Sequence, residues 1–195
     1  MSIFPSAAVD PAGCMLKTSP DIDEATSMPL TLILNQLRYK QWADQRTLAA
    51  IAQIDAQAFP AELAFARQQL NHMVRVEEVF RARLAGTAEP HCTTNSDIVP
   101  TLAELEQRLS AANGWLQPYA AALPAEQLGE IIRFRFLDGK AGSMTRAEIL
   151  FHLVNHGSYH RGAIGRALDM AGGLRPADTY TVFIHAMEPA RRVEG

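Results

Sequence analysis

The sequence predicts an all-α protein, a four-helix bundle with long inter-helix connections and flexible tails. Three observations predict it. Four stretches carry apolar residues at three- and four-residue spacing, the period of an amphipathic helix. Two of them open on a capping-box pattern, Thr101 with Glu104 and Thr145 with Glu148. Helix breakers separate them, at Phe59-Pro60, at Gly86 and at Gly172-Gly173.

Each element can be justified in order. Residues 1–26 are rich in Pro, Ser, Asp and small side chains, which predicts a flexible arm. Helix one begins near Ser27 or Pro29 and ends before Phe59-Pro60. Leu30, Ile33, Leu34, Leu37, Leu48 and Ile51 form its stripe, interrupted on the inward side by Gln41 and Asp44. Helix two runs from Pro60, suited to a first turn, to about Leu84. Leu63, Ala66, Leu70, Met73, Phe80 and Leu84 make its main face. Phe65, Val76 and Val79 make a second flank, in which His72 lies. Glu77 falls in the middle of the main face, where a carboxylate needs a partner, whereas Glu78 points away as solvated charge. Residues 87–99 form a polar loop with His91, Cys92 and Asn95. Helix three runs from Thr101 to about Ala122, with Leu102, Leu105, Leu109 and Leu116 inward. Residues 130–137 alternate near their end and precede Asp138-Gly139, the pattern of a short strand or hairpin. Helix four opens at Thr145, and after Gly172-Gly173 follows a polar tail with an apolar patch at Tyr180–Ile184. The metal-binding bundle is expected over residues 27–185 and a C-terminal tail over 186–195. The long connections at 87–99 and 123–144 argue against a simple up-down-up-down bundle.

Composition narrows the function classes. The 195 residues suffice for one domain with a real core. With 48% hydrophobic and 20% charged residues, the chain has the balance of a soluble globular protein. A net charge of −3 gives no attraction to a polyanion, and Arg191-Arg192 is too small a basic group to argue for nucleic acid. No apolar run of about 18 residues is present to span a membrane. Cys14 and Cys92 suggest neither a disulfide framework nor a cysteine-type zinc site. The N-terminus lacks the basic leader and apolar core of a secretory signal, so the expected location is cytoplasmic.

The histidines carry the functional signal. His152, His156 and His160 place half of the chain's six histidines within nine residues. At roughly 100° per residue, His156 and His160 fall at the centre of an apolar face made by Ile149, Leu153, Ala163, Ile164, Ala167 and Ala171. His152 falls at its edge. A pair of ionisable groups on a core stripe is either metal-ligating or satisfied by hydrogen bonds to other side chains. All three cannot hold one ion, because they span about 12 Å of helix axis while ligand bonds are ~2 Å long. Helices one and two also place polar groups among core positions, and polar cores of this kind mark sites.

The run Asn155-His156-Gly157-Ser158-Tyr159-His160-Arg161-Gly162 resembles the signature of the DinB/YfiT-like metalloenzymes. Tyr39-Lys40-Gln41-Trp42-Ala43-Asp44 is similar to the first-helix motif of that family, which usually carries Asn where Asp44 stands. Leu70-Asn71-His72, with Glu77 five residues beyond His72, is similar to the second-helix motif. The resemblance covers about residues 30–185 in the right order and spacing. It implies a four-helix bundle, a divalent metal ion held by His72, His156 and His160, and a homodimer. Members similar to this family include transferases and isomerases that use low-molecular-weight thiols.

Three imidazoles leave one position open on a four-coordinate zinc, the arrangement of catalytic sites. Nickel and iron also suit imidazole. The expected function is a metal-dependent enzyme acting on a small molecule, by hydrolysis or thiol-dependent transfer, with a low-molecular-weight thiol as candidate partner. The alternative is a non-catalytic metal-binding or stress-response protein. Glu77 and Asp44 are the candidate catalytic carboxylates. Glu77 has a second reading, as a buried ion pair with an arginine. Tyr159 is expected to pack and hydrogen-bond, and Arg161 to lie at the surface or an interface. Gly157, Gly162 and Gly165, off the ligand face, are either surface glycines or points where another backbone approaches.

Overall fold

In the computed structural model, residues 22–136 and 139–192 are described, with side chains from Leu30 onward. Four long helices form the bundle: α1 (Ile22–Ile51), α2 (Pro60–Ala85), α3 (Leu102–Ala122) and α4 (Arg146–Met170). A hairpin of β1 (Ile131–Arg135) and β2 (Ala141–Thr145) lies between α3 and α4, and a short helix α5 (Tyr180–Met187) follows α4. Local chemistry explains the boundaries. The capping boxes at Thr101 and Thr145 both form, each worth about 1 kcal/mol. Gly86 ends α2 in the left-handed conformation, at φ 67°, which a side chain would resist. In the hairpin, Ile131 pairs with Thr145 and Arg135 with Ala141, antiparallel.

Two apolar clusters fix how the helices run. One joins Leu48 and Ile51 of α1, Ala66 to Val74 of α2, Leu105 and Leu109 of α3, and Ile164 and Leu168 of α4. The other joins Leu37 to Ala43, Val76 to Leu84, Leu116 and Ala120, and Ile149 to Val154. Helices α1 and α4 therefore run from the second cluster to the first, and α2 and α3 run the other way. Helix α1 packs on α3 and α4, and α2 packs on the same two, so chain neighbours α1 and α2 stand diagonally. The bundle is up-down-down-up, with residues 86–101 carrying the chain back along its length. That long return is the one the sequence pointed to.

Three details differ from expectation. Helix α1 starts at Ile22, so residues 22–26 belong to a helix rather than the arm. The rest of the arm lies outside the described residues. The apolar patch at Tyr180–Ile184 is the core of α5, whose Phe183 is buried against Tyr39 and Trp42. The hairpin, by contrast, is as the alternation near 130–137 suggested, with β1 as its first strand. Phe65, placed on an apolar flank by periodicity, is 45% exposed.

Candidate metal centre

A polar layer separates the two apolar clusters. Asp44 of α1, Asn113 of α3, and His156, His160 and Arg161 of α4 fall between the clusters along their helices, and Lys40 of α1 and His72 and Glu77 of α2 stand within about one turn of that boundary. The layer divides into a histidine trio and an ionic cluster.

The trio is His72, His156 and His160. Each offers one ring nitrogen, and these nitrogens lie within 4.8 Å of one another. His156 and His160 are one turn apart on α4, and His72 meets them from α2, with ring centroids 4.4 to 5.1 Å apart. The Nε2 atoms of His72 and His156 are 3.2 Å apart. Two ligands of a tetrahedral zinc, with bonds of ~2.0–2.1 Å, stand about 3.3–3.4 Å apart, so the spacing fits an ion. Among the described residues no carboxylate or thiol joins the group.

Neighbours orient two of the rings. His72 Nδ1 lies 3.2 Å from both the Thr94 carbonyl oxygen and Asn95 Oδ1. A carbonyl only accepts, so Nδ1 donates its hydrogen and the Nε2 lone pair faces the trio. His160 Nδ1 lies 2.7 Å from Gln69 Oε1, with the same consequence. The first pair of acceptors comes from the 86–101 crossover, which lays its chain over α2. Burial, reinforced by the nearby His160 and His72, pushes His156 down to about 3. Burial and then His72 bring His160 to about 4. Both are therefore neutral at pH 7, the state in which imidazole binds a metal.

His152 stands apart from the trio, its ring 5.0 Å from that of Phe80 and 5.4 Å from that of His156. With His156 it lines a cavity of about 470 Å³ on the side of the trio that faces the hairpin.

The ionic cluster holds the other half of the layer. Lys40 Nζ is 2.8 Å from Asp44 Oδ2, Glu77 Oε1 and Asn113 Oδ1. Arg161 Nη1 is 2.8 Å from Asp44 Oδ1, and Arg161 Nε is 2.8 Å from Asp178 Oδ2. Tyr39 donates to Asp178 Oδ1 at 2.6 Å. Two cations thus meet three carboxylates, and Glu77 is the one in excess. Its Oε2 is buried with no hydrogen-bond partner among the described residues. Burial pushes the Glu77 carboxyl up to about 7 against the pull of Lys40, with Asp44 adding to the rise. Burial would raise Asp44 too, but Lys40 and Arg161 outweigh it and hold that carboxyl below its ordinary value. Lys40 links the two halves, since its charge also acts on His156.

The structure brings His72, His156 and His160 together, places Asp44 and Glu77 around Lys40 in the ionic cluster, and corrects several neighbours. Glu77 pairs with Lys40, not with an arginine. Glu78 is not free charge: Arg108 grips it at 2.9 and 2.6 Å, and His91 approaches at 2.5 Å. Arg161 does face away from His156, yet it is buried, because α4 packs on α1 as well as α2. Gly157 makes room for it, since a Cβ there would lie 2.7 Å from Arg161 Nη1. Gly165 is likewise covered by Arg175, while Gly162 faces open space. Side chains, not another backbone, account for the first two. Tyr159 is 73% exposed and touches the edge of the His160 ring instead of packing in the core. Sequence reasoning missed Gln69, Thr94, Asn95, Asn113 and Asp178. Only the Lys40–Asp44 pair had a visible signal, its i, i+4 spacing.

Among the described residues, no helix is long and apolar enough to cross a membrane. No curated protein and no solved structure matches the chain. The model of the DinB family matches residues 28–192, which takes in α1 from residue 28, the other three bundle helices whole, the trio and the ionic cluster. The chain belongs to the DinB family.

Proposed function

We propose that this protein is a metal-dependent enzyme acting on a small molecule, by hydrolysis or thiol-dependent transfer, at a divalent ion held by His72, His156 and His160. The observation that supports it most is the convergence of three imidazole nitrogens, without a fourth ligating side chain among the described residues, beside a cavity. A storage or structural site would close the fourth position with protein. A zinc, nickel or iron ion there supplies Lewis acidity and lowers the pKa of a water or a thiol.

The chain's own residues do the rest. Gln69 and the Thr94 carbonyl hold the imidazoles in the tautomer that presents Nε2. Glu77, whose carboxyl sits near 7 with one oxygen unpartnered, is suited to take up and return a proton at Oε2. Asp44 acts through Lys40, because both of its oxygens are already engaged. Elemental analysis of freshly purified protein tests the reading, followed by activity screening with the metal restored. About one equivalent of a divalent metal is expected. A chain that takes up none of zinc, nickel or iron overturns it.

The protein is further proposed to be a cytoplasmic homodimer. Support for the dimer comes from an open apolar groove between α2 and α4, where Phe65 and Met170 are 45% and 54% exposed beside Ala163 and Ala167. Light scattering at micromolar concentration checks it, and a monomer sinks it.

A further inference from the structure

The cavity beside the trio is walled in a way that selects its occupant. Val79 and Phe80 of α2 form one wall, both buried in the bundle. Phe136 and Met144 of the hairpin form the other, and His152 and His156 form the floor. Its volume, about 470 Å³, lies within the ~300–1,000 Å³ of small-molecule pockets. Among the described residues lining the cavity, Arg83 is the one cation, and it is already committed. Its Nε is 2.8 Å from Glu89 Oε1, its Nη2 donates to the Arg135 carbonyl at 2.9 Å, and its plane lies over Phe80 and Phe134. A carboxylate or phosphate on the body of a ligand would find no free positive charge there.

The hairpin wall is built for its place. The Phe136 ring lies across the hairpin, over Gly142, where a Cβ would come within 2.4 Å of Phe136 Cε2. Phe134 meets Phe136 edge-on at 5.1 Å and Phe80 edge-on at 5.9 Å, so the rings brace one another. Glycine at 142 is therefore what lets the ring lie flat and form the outer wall.

We propose that this cavity takes a substrate with an uncharged apolar body about the size of a phenyl ring and a small donor head that reaches the trio, and that Phe136 and Met144 set this preference. The proposal rests on the metal-centre reading for the head, but not for the body. The recognition is ordinary: an apolar body displaces water from apolar walls, while the imidazole floor directs the polar end.

Two measurements on the full-length protein test it. In the first, the metal-free, methionine-methyl-labelled protein is titrated with benzyl alcohol by NMR. The Met144 methyl resonance, identified by its loss in Met144→Leu, is expected to shift and saturate at millimolar concentration, and ethanol is not expected to move it. In the second, cobalt-loaded protein is titrated with benzohydroxamate and acetohydroxamate, read by the visible cobalt bands. Benzohydroxamate is expected to bind at least about tenfold more tightly, beyond what the same pair shows with Gly142→Leu, which displaces the Phe136 ring. In Phe136→Ser and Met144→Gln the ratio should fall toward one, with acetohydroxamate binding kept within about twofold. An unmoved Met144 resonance, or a wild-type ratio near one, overturns the pocket proposal and leaves the metal centre standing. A protein that shifts Met144 but takes up no cobalt does the reverse: the pocket for the body holds and the metal reading fails.

Discussion

The histidine trio, half-buried, and the ionic cluster, with Lys40, Asp44, Glu77 and Arg161 buried, occupy one polar layer of the same bundle and solve the same problem in opposite ways. In the ionic cluster nearly every lone pair and proton is matched within the chain. Lys40 touches three oxygens, and Asp44 takes hydrogen bonds from Lys40, Asn113 and Arg161. In the trio, His72 and His160 turn their Nε2 lone pairs inward, with His72 Nε2 3.2 Å from His156 Nε2, while their Nδ1 hydrogens are drawn outward by Gln69, Thr94 and Asn95. A closed network serves the fold, because all but one of its carboxylates are matched by a cation within it. A convergence of unshared lone pairs is costly unless a cation meets them. The comparison separates positions that are polar for architecture from positions that are polar for a ligand, although a helical wheel draws both alike.

The largest expected effect breaks the ionic side alone. Lys40→Met leaves Glu77 without its ion-pair partner and Asp44 with Arg161 alone, and should cost about 3–5 kcal/mol in urea unfolding. The double variant Lys40→Met, Glu77→Met should regain much of that loss. If Lys40→Met unfolds at the wild-type midpoint, the cluster is not what holds this layer.

On the other side the effect should move from stability to binding. His156→Ala and His160→Ala are each expected to weaken metal binding at least about 100-fold by calorimetry, since ligand loss should exceed the 10–100-fold of orienting partners. Metal-free stability should change by about 1 kcal/mol, or about 2–4 °C in melting temperature. His152→Ala should keep its metal. The assignment is wrong if His152→Ala loses the ion and His160→Ala retains it.

A smaller loss should follow from the orienting residues. Gln69→Leu removes the acceptor at His160 Nδ1 and is expected to cost about tenfold in metal affinity with no change in fold. Asn95→Ala should cost less, because the Thr94 carbonyl still accepts from His72. Equal affinities in wild type and Gln69→Leu would show that the ring is held by packing alone.

The smallest effect is in the pH dependence of the metal-free protein, where the two regions differ in sign. His156 and His160 sit at about 3 and 4 when folded, below the ordinary 6.5. Their contribution is present above pH 6.5 and is lost as the pH falls toward 4 and 3, since the unfolded chain takes up protons first. Glu77 sits at about 7 when folded, above the ordinary 4.5. Its contribution is complete below pH 4.5 and is lost as the pH rises through 7. Between pH 4.5 and 6.5 the two oppose each other. Urea midpoints across that window should therefore climb more steeply with pH in Glu77→Gln than in wild type, and less steeply in His156→Ala. Parallel profiles for all three would remove both assignments.

Much of this was legible along the chain, for reasons that differ by residue. The helices, both capping boxes and the Gly86 stop could be read because they depend on neighbours within one turn. The pairing of His156 with His160 depends on helix geometry alone, and the link to His72 came from motif resemblance. Arg161 was misplaced because a wheel shows which residues share a face but not how many faces are covered. Only the packing of α4 against both α1 and α2 buries it. Glu78 was misplaced for a related reason, since its partners Arg108 and His91 are 30 and 13 residues away.

The local pattern thus determined the helical class, the element boundaries and the residue types of a metal centre, because those follow from spacings of three to seven residues and from the chemistry of single side chains. Tertiary structure alone decided which polar residues neutralise one another and which face a cavity. Partners such as Asp178 for Arg161, Thr94 for His72 and Phe136 for the pocket wall meet only after the crossover and the hairpin fold back on the bundle. Electrostatic matching and enclosure act through space at a few ångströms, and a distance along the chain does not fix a distance of that size.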